Sequence, residues 1–367
     1  MTPGRAGARG PRTLAAEVGD GVSPGAVIMD KVRTLFVTGG AGFIGSCFVR
    51  LVLEELPSAR VTNFDALTYA GNLDNLKGID DSRYRFVRGD ICDPLAVTSS
   101  LAEGTDWLVN FAAESHVDRS IHSAAEFVRT NVLGTQVLLD TARERGVGRF
   151  VQVSTDEVMG SLPETDDAYF TEASPFAPNS PYSASKAAAE HLARAAHHTH
   201  GLDVLVTRCG NNYGPRQFPE KFLPLLLANA SNDEPIPVYG DGRNVRDWIY
   251  VEDHCQAVLA AMLKGRAGEV YNVGARNARR NIEVAESVLD LLGKPRSLLK
   301  FVKDRPGHDR RYAIDPGKAE TELGWRARET WASGLQKTVR WYAENREWVE
   351  RARSGAYRDY YQLQYGE

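Results

Sequence analysis

Three groups of residues in this chain have types and spacings that could do chemistry. Tyr182 and Lys186 stand four apart in "PYSASKAAAE", at what reads as a helix start. Residues i and i+4 share a helix face. An ammonium beside a phenol stabilises the phenolate and draws its pKa down from about 10. Such a tyrosine takes the proton of an alcohol while hydride leaves the same carbon. Asp156 and Glu157 end the apolar run "FVQVSTDEVMG". Adjacent carboxyl groups held in different protonation states supply one acid and one base; strand ends are also solvated, so a plain polar loop is the competing reading. Gly39, Gly42 and Gly45 in "TGGAGFIGS" form the third group. Glycines between a strand and a helix let the backbone approach a pyrophosphate, which the helix N-terminus then binds.

The elements that must position these groups alternate. "RTLFVTGG" reads as a strand and "FIGSCFVRLVLEEL" as a helix, with Ile44, Phe48, Leu51, Val52 and Leu56 at helical spacing. "RVTNFDAL" is a strand ending in Asp65, about 20 residues after the last glycine, where a carboxylate meets a ribose hydroxyl and repels a 2′-phosphate. Strands "YRFVRGDICD", "TDWLVNFAAE", "RFVQVSTDE" and "DVLVTRCGNNYG" follow, separated by the helices "AEFVRTNVLGTQVLLDTARERG" and "SPYSASKAAAEHLARAAHHTHG". Alternation of this kind predicts a doubly wound parallel sheet covered on both faces, an α/β fold. After Tyr213 the texture changes to proline-rich loops, short strands ("IPVYG", "VYNVG") and helices. The expected organisation is a disordered extension over 1–30, a dinucleotide-binding domain over 31–210 that also receives a segment around 240–265, and a smaller C-terminal α/β substrate lobe over 211–367.

The totals narrow the function classes. The chain has 367 residues, 43% hydrophobic, with net charge −4 and pI near 6.1. That balance gives no reason to expect nucleic acid or an anionic membrane as partner. No apolar run approaches the roughly 20 residues a bilayer requires. Cys47, Cys92, Cys209 and Cys255 form no CxxC pair, which fits free thiols in a reducing, cytoplasmic setting. "HHTH" (His197, His198, His200) lacks carboxylate or thiol partners at ligand spacing, so no metal is expected.

From about Arg33 onward the chain resembles the extended short-chain dehydrogenase/reductase family. The motifs that carry the likeness are TGGAGFIG, "GDICD", "NFAAES", the Ser/Thr strand end and YSASK. The resemblance implies a Rossmann-type domain, a nucleotide-sugar lobe, tightly bound NAD recycled each turnover, and a homodimer through Rossmann-domain helices. It places Gly39, Gly42, Phe43, Ile44, Gly45, Asp65, Leu67, Thr68, Asp90, Ile91, Ala112, Ala113, Ser154, Tyr182, Lys186 and Cys209 at the cofactor.

"STDEVMG", "AAESHVDRSI", "NNYGPRQFPEKFLPLLL", "PVYGDGRNVRDWIYVEDH" and "DRPGHDRRYAID" resemble the dTDP-glucose 4,6-dehydratase branch of that family. This implies oxidation at C4 of dTDP-glucose, loss of water across C5 and C6, and hydride return to C6, giving dTDP-4-keto-6-deoxyglucose. In that scheme Tyr182, Lys186 and Thr155 serve the C4 oxidation, Asp156 is the acid and Glu157 the base at C5. Ser115, Thr155, Asn211, Lys221, Arg246, Asn281 and Arg305 would hold the substrate. Three departures stand out. Met159 replaces the branch's usual tyrosine, Asn277-Ala278 replaces Asn-Glu, and the segment between Glu157 and Tyr182 is short. A nucleotide-sugar 4-epimerase or a UDP-glucuronate decarboxylase would share Tyr182 and NAD but need no acid pair. A catalytically silent NAD-binding scaffold would need none of Tyr182, Lys186 and Thr155.

Overall fold

The structure is a computed structural model that describes residues 32–164 and 168–353. The expected extension over 1–30 and the aromatic tail "DYYQLQYGE" lie outside the described residues.

The first half runs β1 (Thr34–Thr38), α1 (Phe43–Glu55), β2 (Arg60–Asp65), β3 (Tyr84–Arg88), α2 (Pro94–Ser100), β4 (Trp107–Asn110), α3 (Val117–His122), α4 (Ala124–Phe127), α5 (Thr135–Glu144), β5 (Arg149–Thr155), α6 (Pro181–His200) and β6 (Val204–Cys209). The second half runs β7 (Asn211–Tyr213), α7 (Phe222–Ser231), β8 (Ile236–Tyr239), β9 (Val245–Tyr250), α8 (Val251–Lys264), β10 (Val270–Val273), β11 (Ala278–Arg280), α9 (Asn281–Leu292), β12 (Leu299–Val302), α10 (Trp331–Glu344) and α11 (Arg346–Ala352).

Seven parallel strands form the main sheet in the order β10-β6-β5-β4-β1-β2-β3. Its central strands are buried on both faces, so they read as continuous apolar runs rather than alternating ones. One face packs Val37, Val109 and Val151 against Phe48 and Val52 of α1 and Val258 and Met262 of α8. The other packs Phe36, Leu108 and Phe150 against Leu138 of α5 and Ala193 of α6. Strand order reverses between β1 and β4. The crevice at the C-terminal ends of these two strands is the usual binding place in such sheets. The run "VYNVG", read from sequence among the short strands of the second half, joins the main sheet as β10, with Val270 opposite Val206.

Two small sheets lie outside it, β11-β9-β7 and β12-β8. Their core gathers Leu223 and Leu226 of α7, Trp248, Val288 and Trp331. The predicted long helix after Ala124 contains a π-helical segment over Val128–Gly134. That wide turn carries Asn131, whose amide donates to Glu114 O (3.0 Å) and Ser185 Oγ (2.8 Å). Helix α6 begins where the sequence places Ser180 and Pro181: the serine hydroxyl accepts from the backbone N–H of Ser183 (3.1 Å). Such a cap contributes about 1 kcal/mol, and it fixes the first turn, where Tyr182 sits.

Candidate active site

A cleft of about 290 Å³ opens at the switch point between β1 and β4 and runs on to the ends of β5 and β6. Its first end is made of backbone. Gly39 turns the chain at φ +69°, a conformation that disfavours any side chain. A Cβ there would also lie 2.6 Å from Ala112 N, and one at Gly45 would collide with the carbonyl of Gly39. Asp65 closes this end. Its Oδ2 accepts from Ala41 N–H (2.9 Å) and its Oδ1 from Leu67 N–H (2.8 Å). Burial raises the Asp65 carboxyl, and the two N–H groups oppose that shift. Asp90, at the β3 edge, pairs with Arg129 (2.7 Å).

The other end is made of side chains. Thr155, the last residue of β5, caps a short 3-10 helix over Asp156–Met159, its hydroxyl accepting from Glu157 N–H (3.3 Å). This turn answers the polar-loop reading: it carries Asp156 inward, 1% exposed. Asp156 Oδ1 is 3.3 Å from the Thr155 hydroxyl that donates to it, and Oδ2 is buried without a partner. Glu157 is half-buried and lines the cleft. Both carboxyls are raised by burial, but different neighbours act on them. Asp156 also faces the anions of Glu157 and Asp247, so it lies well above the ordinary carboxylate value. Glu157 faces Arg305, Arg246 and Lys221, which pull it back down. One carboxyl is pushed toward the acid form and its neighbour is held nearer the carboxylate.

Tyr182 is buried beside them, and burial together with the Glu157 charge raises its phenol far above 10, partly opposed by hydrogen bonding with Thr155. The sequence led us to expect Lys186 to lower that phenol. In the structure Lys186 Nζ, one turn along α6 from Tyr182, donates to Val153 O (2.7 Å). Burial draws Lys186 itself down to about 8, with Glu190 pulling the other way.

The expected residues largely converge. Gly39, Gly42, Phe43, Ile44 and Gly45 line the cleft with Asp65, Thr68, Asp90 and Ile91. So do Ala112, Ala113, Ser115, Ser154, Thr155, Asp156 and Glu157, and Tyr182, Lys186, Cys209, Asn211 and Lys221. Leu67, Arg246, Asn281 and Arg305 are not in its lining. Leu67 acts through its backbone, with φ +55°. Arg246 and Arg305 flank the cleft closely enough to act on Glu157. Asn281 starts α9, its N–H donating to Asn244 O (2.9 Å), away from the lining. Met159 sits behind the strand end, in a cluster with Val158, Phe170, Ala187, Tyr312 and Ile314. Ala278 is exposed on β11. Among the described residues no group of three or more potential ligands could hold a metal ion.

Sequence reasoning missed Asp247, Asp118, Arg119 and Glu220. Asp247 lies next to Arg246 in "RDWIY", but its closeness to Asp156 depends on how β9 packs.

The arrangement fits a dinucleotide beside a polyol. Backbone approaches at Gly39 and Gly45 leave room for a diphosphate, and the Ser154 hydroxyl and Asp156 Oδ2 are buried without partners in the same cleft. A family model described as GDP-mannose 4,6 dehydratase matches residues 36–338. The dTDP-glucose 4,6-dehydratase of Xanthomonas campestris pv. campestris (strain B100) is 52% identical over 347 residues, covering 89% of this chain and 98% of that protein. That of Streptomyces niveus is 54% identical over 325 residues, covering 87% and 96%. The chain belongs to this dehydratase family. The crystal structure of DesIV (dTDP-glucose 4,6-dehydratase) from Streptomyces venezuelae with NAD and TYD bound matches with TM-score 0.85 at 52% identity, covering 87% of this chain and 100% of that one. The family's fold is also shared more widely. The UDP-glucose 4-epimerase of Thermus thermophilus, in complex with NAD, matches with TM-score 0.78 at 30% identity, covering 85% and 100%.

Proposed function

We propose that this chain is an NAD-dependent dTDP-glucose 4,6-dehydratase, a hydro-lyase forming dTDP-4-keto-6-deoxyglucose. The observation that carries this reading is the buried Asp156 beside Glu157, two carboxyls under opposite electrostatic influence at the end of β5. The fold alone does not separate dehydratases from epimerases, since both match it. An epimerase has no use for an acid and a base beyond the oxidising tyrosine.

The glycine turn and Asp65 would hold the cofactor's diphosphate and ribose at the first end of the cleft. When bound, NAD supplies the acceptor for the C4 hydride and the hydride returned to C6, and its oxidised ring brings positive charge that favours the Tyr182 phenolate. Thr155 orients the 4-hydroxyl, and Tyr182 Oη takes its proton. Lys186 is held by Val153 O on the same face of α6, one turn from Tyr182. Glu157 takes the C5 proton, which the neighbouring ketone has made acidic, and gives a proton back to C5 when hydride reaches C6. Asp156, kept protonated by its surroundings, delivers its proton from Oδ2 to the departing 6-oxygen. Lys221, Arg246 and Arg305 hold the nucleotide diphosphate.

Incubation with dTDP-glucose and with UDP-glucose, each product identified by mass, tests the reading. The expected result is loss of one water from dTDP-glucose. A product of unchanged mass, a 4-epimer, would overturn it. We further place the protein in the cytoplasm as a homodimer through the helical face that leaves Val128 and Leu133 half exposed; sedimentation at a single-chain mass would refute the dimer. No described helix is long and apolar enough to cross a membrane.

A further inference from the structure

Two consecutive residues of α3 reach across the cleft to the second half of the chain. Asp118 is 4% exposed, and each of its oxygens is engaged. Oδ1 accepts from Arg305 Nη1 (2.7 Å), and Oδ2 accepts from the Tyr239 hydroxyl (3.1 Å). Arg119 points the other way, donating from Nε (3.0 Å) and Nη2 (2.9 Å) to Glu220 Oε2. Its guanidinium also lies 4.1 Å over the Tyr69 ring, and Tyr69 meets Phe218 edge-on. Next to Glu220, Lys221 Nζ donates to Ser115 O (2.7 Å).

We propose that α3 is a two-pronged clasp, in which Asp118 is a positioning residue that aims Arg305 at the diphosphate of the nucleotide sugar, and Arg119 seats the 217–221 segment so that Lys221 meets the same diphosphate.

A carboxylate near an anion-binding arginine could equally compete with the anion. The geometry favours positioning. Asp118 takes only the Nη1 corner of the guanidinium, and Arg305 Nε is buried without a partner. The fork is thereby anchored at one corner and keeps a donor for an incoming oxygen. The Asp118 side chain is itself fixed by Tyr239, so Arg305 loses little further freedom on binding. Burial alone would raise Asp118, but Arg305 and His116 outweigh it, so it remains the anion the contact requires. The second prong acts through Lys221. Glu220 and its neighbours Gln217 and Phe218 line the cleft that begins at the glycine turn. Gln217 is held in turn by its side-chain amide donating to Asn212 O (2.8 Å) and its backbone carbonyl accepting from the Tyr342 hydroxyl (2.6 Å). Breaking Arg119 from Glu220 frees the side of this segment nearest α3.

The first prong rests on the reading above that Arg305 binds the diphosphate. The test therefore measures dTDP binding by calorimetry on holoenzyme, NAD content after gel filtration, and melting temperature. Arg305→Gln must weaken dTDP; if it does not, the reading of Arg305 falls. Given that, Asp118→Asn is expected to weaken dTDP about tenfold, with NAD content retained, and the double variant to be little worse than Arg305→Gln alone. Unchanged affinity in Asp118→Asn, or fully additive losses, overturns the first prong. Should Asp118→Asn not fold, Asp118→Glu keeps the charge but displaces the anchor, and weakening is again expected; parental affinity there overturns the proposal. Arg119→Gln is expected to weaken dTDP severalfold through Lys221, with NAD content retained. Parental dTDP affinity in Arg119→Gln overturns the second prong.

Discussion

The two ends of the cleft are built on different principles. The cofactor end is local and made mostly of backbone. Gly39 N–H donates to Phe64 O (3.0 Å), Ala41 N–H to Asp65, and Gly71 N–H to Thr68 O (3.0 Å), all within β1, α1, β2, the turns between them and the loop that follows β2. The sugar end is remote and made of side chains, with Asp156 and Glu157 from the end of β5, Tyr182 from α6, Arg246 from β9 and Arg305 from beyond β12. A backbone site fails when an atom intrudes on it. In a side-chain site each member's charge depends on the others, so failures there are partial and show themselves in pH and partial reactions.

The largest expected effect is steric and belongs to the first end. Gly45→Val puts carbon against the Gly39 carbonyl, with the Gly40 Cα only 2.8 Å away as well. NAD content on purification should fall to near zero. A variant that keeps its NAD would erase the distinction, because the backbone would then have to give way freely. Next come the reacting groups of the second end. Tyr182→Phe should lose the oxidation itself, and Glu157→Gln should oxidise C4 yet stall before water loss. General acid or base removal costs roughly a hundredfold to ten-thousandfold. Single-turnover absorbance would show reduced cofactor accumulating only in Glu157→Gln. Equal loss of both half-reactions in that variant would sink the assignment of the base.

How much of this was legible in the sequence follows the same division. The glycine spacing, the strand before it and Asp65 lie within one short stretch, so motif and mechanism coincide there. Ser180-Pro181 before Tyr182 likewise announced a helix start that the structure shows in its cap. The acid pair was legible as residues but not as environments. Nothing near Asp156 in the chain says that Asp247 faces it, or that the cations gather on Glu157. Lys186 shows the limit from the other side. Spacing puts it on the Tyr182 face, but a count of four residues does not report that its ammonium is buried and donates to Val153 O. Strand β10 was seen as a strand and missed as an edge of the main sheet, since pairing with β6 is a long-range choice.

A smaller effect tests whether charges at the second end are coupled. Asp156 acts as an acid only while protonated, so its contribution is present below its folded pKa and lost as pH rises through it. Asp247 is one of the anions that raise that value. Asp247→Asn removes the anion, so the Asp156 carboxyl drops and the alkaline limb of kcat should move to lower pH. Lys186, near 8, also titrates on that side, but it is common to both proteins. Asp247 Oδ1 accepts from Asn277 N–H (2.8 Å), so some loss of melting temperature is expected as well. A stability loss with an unmoved alkaline limb would make Asp247 a structural bracket only.

The smallest effect concerns Met159, where the resemblance implies a tyrosine. Met159 is buried among Val158, Phe170, Ala187, Tyr312 and Ile314, and its sulfur faces Arg208 Nη1 at 3.5 Å. Arg208 is in turn fixed by Glu190, two of whose contacts are 2.9 Å. Met159→Tyr adds a ring to this cluster and a hydroxyl that can take over the contact with Arg208. Overpacking a buried site costs about 1–3 kcal/mol, so the melting temperature should fall by a few degrees. The cluster stands behind the strand end and does not line the cleft. Turnover should therefore stay within about threefold, with dTDP affinity unchanged. A large fall in kcat at unchanged dTDP affinity would mean that the strand end carrying Asp156 yields to what packs behind it, and the second end would then share the first end's sensitivity to a single intruding group.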